Sequence, residues 1–374
     1  MIYFDAAATT FQKPPSVRRA VLRAMETMAS PGRGGHRQAR LAEELLYDCR
    51  VQAAALFNVP DPANVVFTMN ATHGLNLAIK SLVGPGDRAV ISGFEHNAVR
   101  RPLYAVGAET VIAGRALFDP SAVLADFDEK ITPGTAAVIC THVSNVFGFV
   151  LPVEGIARLC RARGVPLIVD ASQSAGCLPL SLRALGARFI AMPGHKGLYG
   201  PQGTGLLLCA GPGKPLLEGG TGTQSALPQM PEELPERLEA GTPNVCGIAG
   251  LRAGLHFLRD SAPGEILRHE RRVLDRVCNR LESLERVRIW RGTAQTGVLA
   301  LRIRGLDGED AAELLAQRGV AVRAGLHCAP LAHESAGTLE GGALRLSFSA
   351  FNTLREADLF AERLREILRL TGEM

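Results

Sequence analysis

Long apolar runs are missing from this 374-residue chain. Nowhere do about 18 consecutive apolar residues occur, so no segment reads as a membrane span. Residues 1–15, MIYFDAAATTFQKPP, lack the basic n-region and apolar h-region of a secretory signal, and the chain reads as cytoplasmic. Charge of one sign is scarce as well. Forty-one basic against 37 acidic side chains leave +4, too small a surplus for a basic nucleic-acid face. Eight cysteines are scattered without a CxxC pair or a Cys/His cluster, which argues against a disulfide framework and against structural zinc, and no metal is expected. There is no Walker A lysine motif and no strand-linked GxGxxG, so a nucleotide is not the favoured phosphate donor.

What is present is an alternation. Short apolar runs at Asn64–Thr68, Arg88–Ser92, Ala136–Thr141, Val165–Asp170, Arg188–Met192 and Gly205–Cys209 are interleaved with helix-period segments such as Thr72–Leu82, Asn97–Val106 and Val153–Arg163. Strands apolar on both faces and separated by helices predict a mostly parallel sheet covered on both sides. Two helical stretches, Ser16–Ala29 and Arg40–Phe57, precede it, bridged by a Gly-rich SPGRGGH. A Pro/Gly-rich stretch, Gly211–Pro243, reads as a long functional loop. A charged helix (Pro263–Leu284), a strand (Gly297–Ile303) and helices at Gly308–Gln317 and Leu354–Leu370 follow. The expected organisation is an N-terminal segment (1–15) packing on a small domain, a large domain (16–261) and a smaller C-terminal α/β domain (262–374).

Seven constellations carry the chemistry. In Met192-Pro193-Gly194-His195-Lys196-Gly197, a lysine follows an apolar strand, where desolvation lowers its pKa toward the nucleophilic range that a Schiff base requires. The bland alternative is a surface lysine in a turn. Asp170, ending the strand Leu167-Ile168-Val169, faces the crevice where open α/β sheets bind ligands and can hold a pyridinium proton, or it is merely a helix N-cap. Asn70-Ala71-Thr72-His73 opens a helix and offers a phosphate site of amides and a hydroxyl, or an ordinary Thr-initiated helix. His96, after Glu95, can stack on a flat cofactor or simply enter a helix; Asn145, in His142-Val143-Ser144-Asn145, can donate to a cofactor oxygen. Cys328 lies in Arg323-Ala324-Gly325-Leu326-His327-Cys328-Ala329, a Gly-containing loop with His327 and Arg323 near it, and is the one cysteine whose surroundings suggest reactivity. Arg345, on the strand-like Leu344–Phe348, is a carboxylate clamp or an edge-strand solubiliser.

In this order, and with Tyr3-Phe4-Asp5-Ala6-Ala7 before them and Glu239-Ala240-Gly241-Thr242-Pro243-Asn244 between, these elements resemble the fold-type I pyridoxal phosphate enzymes of aminotransferase class V. More narrowly, the chain resembles the cysteine desulfurases and selenocysteine lyase-like proteins with a short catalytic loop. The resemblance implies a large domain built on a mostly parallel, seven-stranded-type sheet. It implies pyridoxal 5′-phosphate held as a Schiff base by Lys196, with Asp170 on the pyridinium nitrogen, Gln173 on the ring oxygen and His96 stacked on the ring. Thr72, the amide of His73 and His195 would hold the phosphate, and Thr242 would reach the cofactor of a second subunit, which implies a homodimer. Asn145 and Arg345 would bind the substrate carboxylate, with Arg323 and His36 lining the substrate side. Cys328 would accept sulfur from L-cysteine and pass it, as a persulfide, to an acceptor protein for iron–sulfur clusters or thio-cofactors.

Two positions depart from the family pattern. Pro193 stands where a phosphate-binding serine is usual, so that Thr221 or Thr223 would be drawn in, and Leu326 stands where a second histidine is common. Three readings follow: a cysteine desulfurase; a selenocysteine lyase, or a class V aminotransferase or epimerase in which Cys328 is incidental; and a sulfur-carrier scaffold without activity. Intact Lys196, Asp170 and Cys328 speak against the last.

Overall fold

The computed structural model describes residues 1–32, 34–261 and 264–371. Its strands, in chain order, are β1 (Ile2–Tyr3), β2 (Val65–Thr68), β3 (Arg88–Ser92), β4 (Glu109–Ala113), β5 (Thr135–Thr141), β6 (Leu167–Asp170), β7 (Phe189–Pro193), β8 (Gly205–Cys209), β9 (Val287–Trp290), β10 (Val298–Ile303), β11 (Val320–Ala321), β12 (Arg323–Gly325) and β13 (Ala343–Ser347). Seven of them form one sheet in the order β2-β8-β7-β6-β5-β3-β4. Only β8 runs against its neighbours; every other pair in this sheet is parallel.

The expected two-faced burial is visible residue by residue. Val138, Cys140, Val169 and Ile190 point into one core, while their chain neighbours Ala137, Ile139, Ile168 and Phe189 point into another on the opposite face. Period-2 alternation with both sets apolar requires helices on both sides of the sheet. The first core is walled by Phe57, Phe127 and Ile156 of the helices Arg37–Phe57, Pro120–Lys130 and Val153–Arg163. The second is walled by Leu75, Ile79 and Leu103 of Ala71–Leu82 and Asn97–Ala105.

A second, antiparallel sheet has the order β12-β13-β10-β9. Strand β13 is therefore interior, and Arg345 on it is only 2% exposed, which removes the edge-strand reading of that arginine. The start of the chain joins this unit. β1 pairs in parallel with β11 (Ile2 with Val320), and Ile2 and Phe4 share a core with Leu299, Leu344, Phe348 and Phe360.

Some elements escaped the sequence. β4 is half-exposed along most of its length and offers only the short apolar run Val111-Ile112-Ala113 after Glu109 and Thr110, because it is a sheet edge. The helix Val245–Asp260 is hard to read from its residues, because Gly247, Gly250 and Gly254 depress helix propensity. Close packing explains at least the last of these: a Cβ on Gly254 would lie 2.1 Å from the carbonyl oxygen of Leu198. The helix thus lies directly on the turn that follows Lys196. The read boundary at Ala262, the Pro263 start of the next helix and Arg33 of the Gly-rich bridge lie outside the described residues; that helix is seen over Glu265–Leu281.

Phe4 packs edge-on against Phe348 (centroids 4.9 Å apart) and Phe360 (5.8 Å) and is fully buried. Phe4→Ala is expected to lower unfolding stability by about 3–5 kcal/mol, read as a shifted urea midpoint with unchanged slope.

Candidate active site

The loops leaving the C-terminal ends of β3, β5, β6 and β7 converge, as ligand-binding loops do in open α/β sheets. They carry His96, Asn145, Asp170 with Gln173, and His195 with Lys196. Together with Asn70, Thr72 and Pro193 these residues line a cavity of about 100 Å³.

Lys196 occupies a turn that two other segments fix. Gly197 approaches the Asp170 loop so closely that a Cβ would sit 2.2 Å from the carbonyl oxygen of Ala175, so the lysine turn and the Asp170 turn touch backbone to backbone. From the other side, the carbonyl of His195 accepts from the amide of Thr10 (3.1 Å), the hydroxyl of Thr9 (3.1 Å) and Lys13 Nζ (3.4 Å). By surface area Lys196 is only half-buried, because its side chain opens into the cavity. Protein still surrounds the amine, and this desolvation, opposed by nearby Asp170, brings its pKa down to about 8. That is the lowered value the apolar setting of the sequence implied.

Asp170 is 3% exposed; its Oδ1 accepts from the amide of Ser172 at 2.9 Å, and Oδ2 has no protein donor among the described residues. The Gln173 amide nitrogen donates to the carbonyl of Ala7 (3.0 Å). His96 does enter a helix: it caps Asn97–Ala105, with Nδ1 accepting from the amide of Ala98 at 3.0 Å. Burial lowers its pKa, against the pull of Asp170, so the ring at the cavity is held toward neutrality. Beneath it, Glu95 is fully buried and accepts from Ser92 Oγ and, at 2.6 Å, from the amide of Thr141. Burial drives its pKa up to about 8, which favours the neutral form, and the side chain ties the loop of His96 to the loop of Asn145.

At the phosphate end, the helix Ala71–Leu82 is capped by Asn70 and not by Thr72. Asn70 Oδ1 accepts from the His73 amide at 2.9 Å, so that amide is already engaged. Thr72 lines the cavity, whereas His73 does not. His195 Nδ1 is buried without a partner among the described residues, and burial lowers the pKa of this ring to about 4.

Cys328 lies on the other side of a shared wall. It is exposed, and with Asn76, Asn97 and Arg101 it lines an adjoining cavity of about 310 Å³; Thr72, His96 and Ala98 belong to both cavities. The loop is tied to the cavity walls. Asn145 Nδ2 donates to the carbonyl of His327 (2.8 Å), and the amide of Asn97 donates to the carbonyl of Cys328 (2.7 Å). Of the remaining cysteines, Cys49, Cys140, Cys160, Cys209 and Cys278 are buried.

The two arginines meet at a residue to which no role had been assigned. Asp5, 7% exposed, accepts from Arg345 Nη2 at 2.9 Å and from Arg323 Nη2 at 2.9 Å. Arg345 Nη1 donates to the backbone carbonyl of Asn145 (2.9 Å), which brings the C-terminal sheet to the edge of the lysine cavity. Asp5, Glu95, Thr9, Thr10 and Lys13 are what the reading of side-chain types missed. The one available signal was an acidic residue set in the apolar and small run Tyr3–Ala7. His36 caps the helix Arg37–Phe57 and lines neither cavity, and Thr242 is exposed away from both. Thr221 and Thr223 bond to each other in the exposed Gly-rich loop.

This fold and this lysine–aspartate cavity mark a class of protein, and the chain belongs to the aminotransferase class-V family, whose profile matches residues 2–360. Within it, the chain is 32% identical over 380 residues to a probable cysteine desulfurase of Methanothermobacter thermautotrophicus, covering 98% of this chain and 94% of that one. It is 33% identical to a probable cysteine desulfurase of Xylella fastidiosa, covering 100% and 92%. Among solved structures, the apo cysteine desulfurase of Thermococcus onnurineus superposes with a TM-score of 0.89 at 30% identity, covering 98% and 94%. A cysteine desulfurase of Escherichia coli superposes at 0.85 with 28% identity and the same coverage.

The cofactor of these enzymes is pyridoxal 5′-phosphate. The cavity suits it: a desolvated amine, a carboxylate with one oxygen unclaimed, a neutral imidazole wall, and an orphaned ring nitrogen on His195 beside the Thr72 helix end. Only a neutral amine condenses with an aldehyde. Uptake of pyridoxal phosphate by apoprotein, followed by absorbance, is therefore expected to accelerate with rising pH and level off just above the Lys196 value of about 8. Acceleration that continues to about 10.4, where a solvated lysine titrates, would show that the amine is not desolvated.

Proposed function

We propose that this protein is a pyridoxal phosphate-dependent cysteine desulfurase that converts L-cysteine to L-alanine and leaves a persulfide on Cys328. The observation that carries the reading is the placement of an exposed thiol in a cavity sharing Thr72, His96 and Ala98 with the lysine cavity. An aminotransferase has no use for a thiol there. The named relatives support the same activity.

The residues divide the work. Asp170 Oδ2 would hold the ring nitrogen, Gln173 the ring oxygen and His96 the ring face, while His195, Thr72 and first-turn amides not already used by Asn70 would take the phosphate. Pro193 contributes neither hydroxyl nor N–H to it. Bound there, the cofactor supplies an electron sink for the substrate's α-carbon. Lys196 Nζ, neutral at a modestly alkaline pH, takes the α-proton and returns one. Arg345 and Asn145 bind the substrate carboxylate, with Arg323 at the outer edge. The Cys328 thiolate attacks the substrate sulfur, the C–S bond breaks with its electron pair going to carbon, and alanine leaves. His36 and Thr242, which lie apart from the cavity, fit service to the site of a second subunit, and with it a homodimer. An exposed persulfide suits transfer to an acceptor protein in the cytoplasm, for iron–sulfur clusters or thio-cofactors. The division into residues 1–15, 16–261 and 262–374 belongs to the same proposal.

With L-cysteine and a thiol reductant, Cys328→Ala is expected to lose alanine formation by about two orders of magnitude or more while its bound-cofactor spectrum stays intact. Retention of activity in that variant would overturn the assignment of the thiol. A clear preference for L-selenocysteine would move the reading to a selenocysteine lyase, and amino-group transfer to a keto acid would move it to an aminotransferase.

A further inference from the structure

His327 and Cys328 both sit in the left-handed region, at φ 51° and 55°. Residues with side chains hold that conformation when their surroundings impose it. Here a local turn closes around them, the Ala329 amide donating to the Leu326 carbonyl (2.9 Å), and two further hydrogen bonds, one from Asn145 Nδ2 and one from the Asn97 amide, tie that turn to the cavity walls. In this position Cys328 lines the outer cavity and not the lysine cavity, whereas Asn145 lines the lysine cavity. One side chain thus faces the reaction chamber and tethers the nucleophile outside it. Its backbone carbonyl is bound by Arg345, whose Nε is buried with no partner among the described residues.

We infer that Asn145 is a latch: a carboxylate arriving beside Arg345 draws the Asn145 amide away from the His327 carbonyl and frees Cys328 to swing into the chamber. The inference rests on the amino-acid site proposed above. A hydrogen bond to a carboxylate is about twice as strong as one to a neutral carbonyl, and the planar amide turns as a unit. Loss of that tether leaves the turn intact, with the Asn97 amide as its remaining tie to the cavity wall. By linkage, release of the loop raises affinity for the carboxylate by the same factor with which the carboxylate releases the loop. The thiol then enters the chamber only when substrate is there.

The test uses holoenzyme and the rate at which iodoacetamide alkylates Cys328, followed by the mass of its peptide. L-Alanine carries the carboxylate and amine without sulfur; ethylamine lacks the carboxylate. L-Alanine is expected to slow alkylation about fivefold or more, because the released thiol turns from the exposed outer cavity into the chamber, and ethylamine to leave it unchanged. Asn145→Ala is expected to be slow without ligand and to change no further with L-alanine. Backbone hydrogen exchange over residues 323–330 is expected to rise with L-alanine in the wild type, which keeps the test independent of the variant's folding. L-Alanine that speeds alkylation or leaves it unchanged in the wild type overturns the latch, and so does a variant as fast as wild type. Alanine release from L-cysteine by the same preparation separates the two ideas. Holoenzyme that responds to L-alanine but does not desulfurise keeps the latch and loses the desulfurase reading; one that desulfurises without that response does the reverse.

Discussion

The carboxylate of Asp5 joins parts of the chain that would otherwise meet only by packing. It holds Arg345 from the interior strand β13 and Arg323 from β12, and the segment it begins continues to Ala7, which binds Gln173, and to Thr9, Thr10 and Lys13, which grip the His195 carbonyl. Burial works against the charge of Arg345, and Asp5 is what offsets it. Removing one partner from such a buried pair leaves an uncompensated charge, a loss of about 3–5 kcal/mol. Arg345, Gln173 and the turn that carries Lys196 are therefore all set by one stretch of about nine residues.

The second constraint is backbone contact. Gly197 against Ala175, and Gly254 against Leu198, leave the lysine turn no room to shift relative to the Asp170 turn. Glu95, buried and held toward the neutral form, does the same for the loops of His96 and Asn145. The chamber is rigid where a cofactor must be aligned. The Cys328 loop is different, since its thiol is exposed and its left-handed turn is tied to the cavity walls by two hydrogen bonds.

The central sheet was legible because β5, β6, β7 and β8 are apolar on both faces, a pattern that burial alone dictates. Lys196, Asp170 and Cys328 were legible because each sits where local sequence defines its surroundings: a strand exit, a strand end, a glycine loop. Asp5 was not, because its meaning depends on partners 318 and 340 residues away. The helix Val245–Asp260 was obscured by glycines selected for close packing, and β4 by its place at the edge. His96 satisfied both readings offered for it, as a helix cap and as a wall of the cavity, and Asn70 took the capping role that Thr72 had been given.

The pairing of Ile2 with Val320 and of Asp5 with Arg345 has a further consequence in time. Residues 2–5 find their strand partner and their counter-charges only after more than three hundred further residues have been made. Contacts of such high sequence separation form late and slowly. The central sheet can therefore be complete while Gln173 and the lysine turn still lack their supports. Capture of the cofactor in its final geometry becomes a closing step of maturation, one that follows synthesis of the last strand.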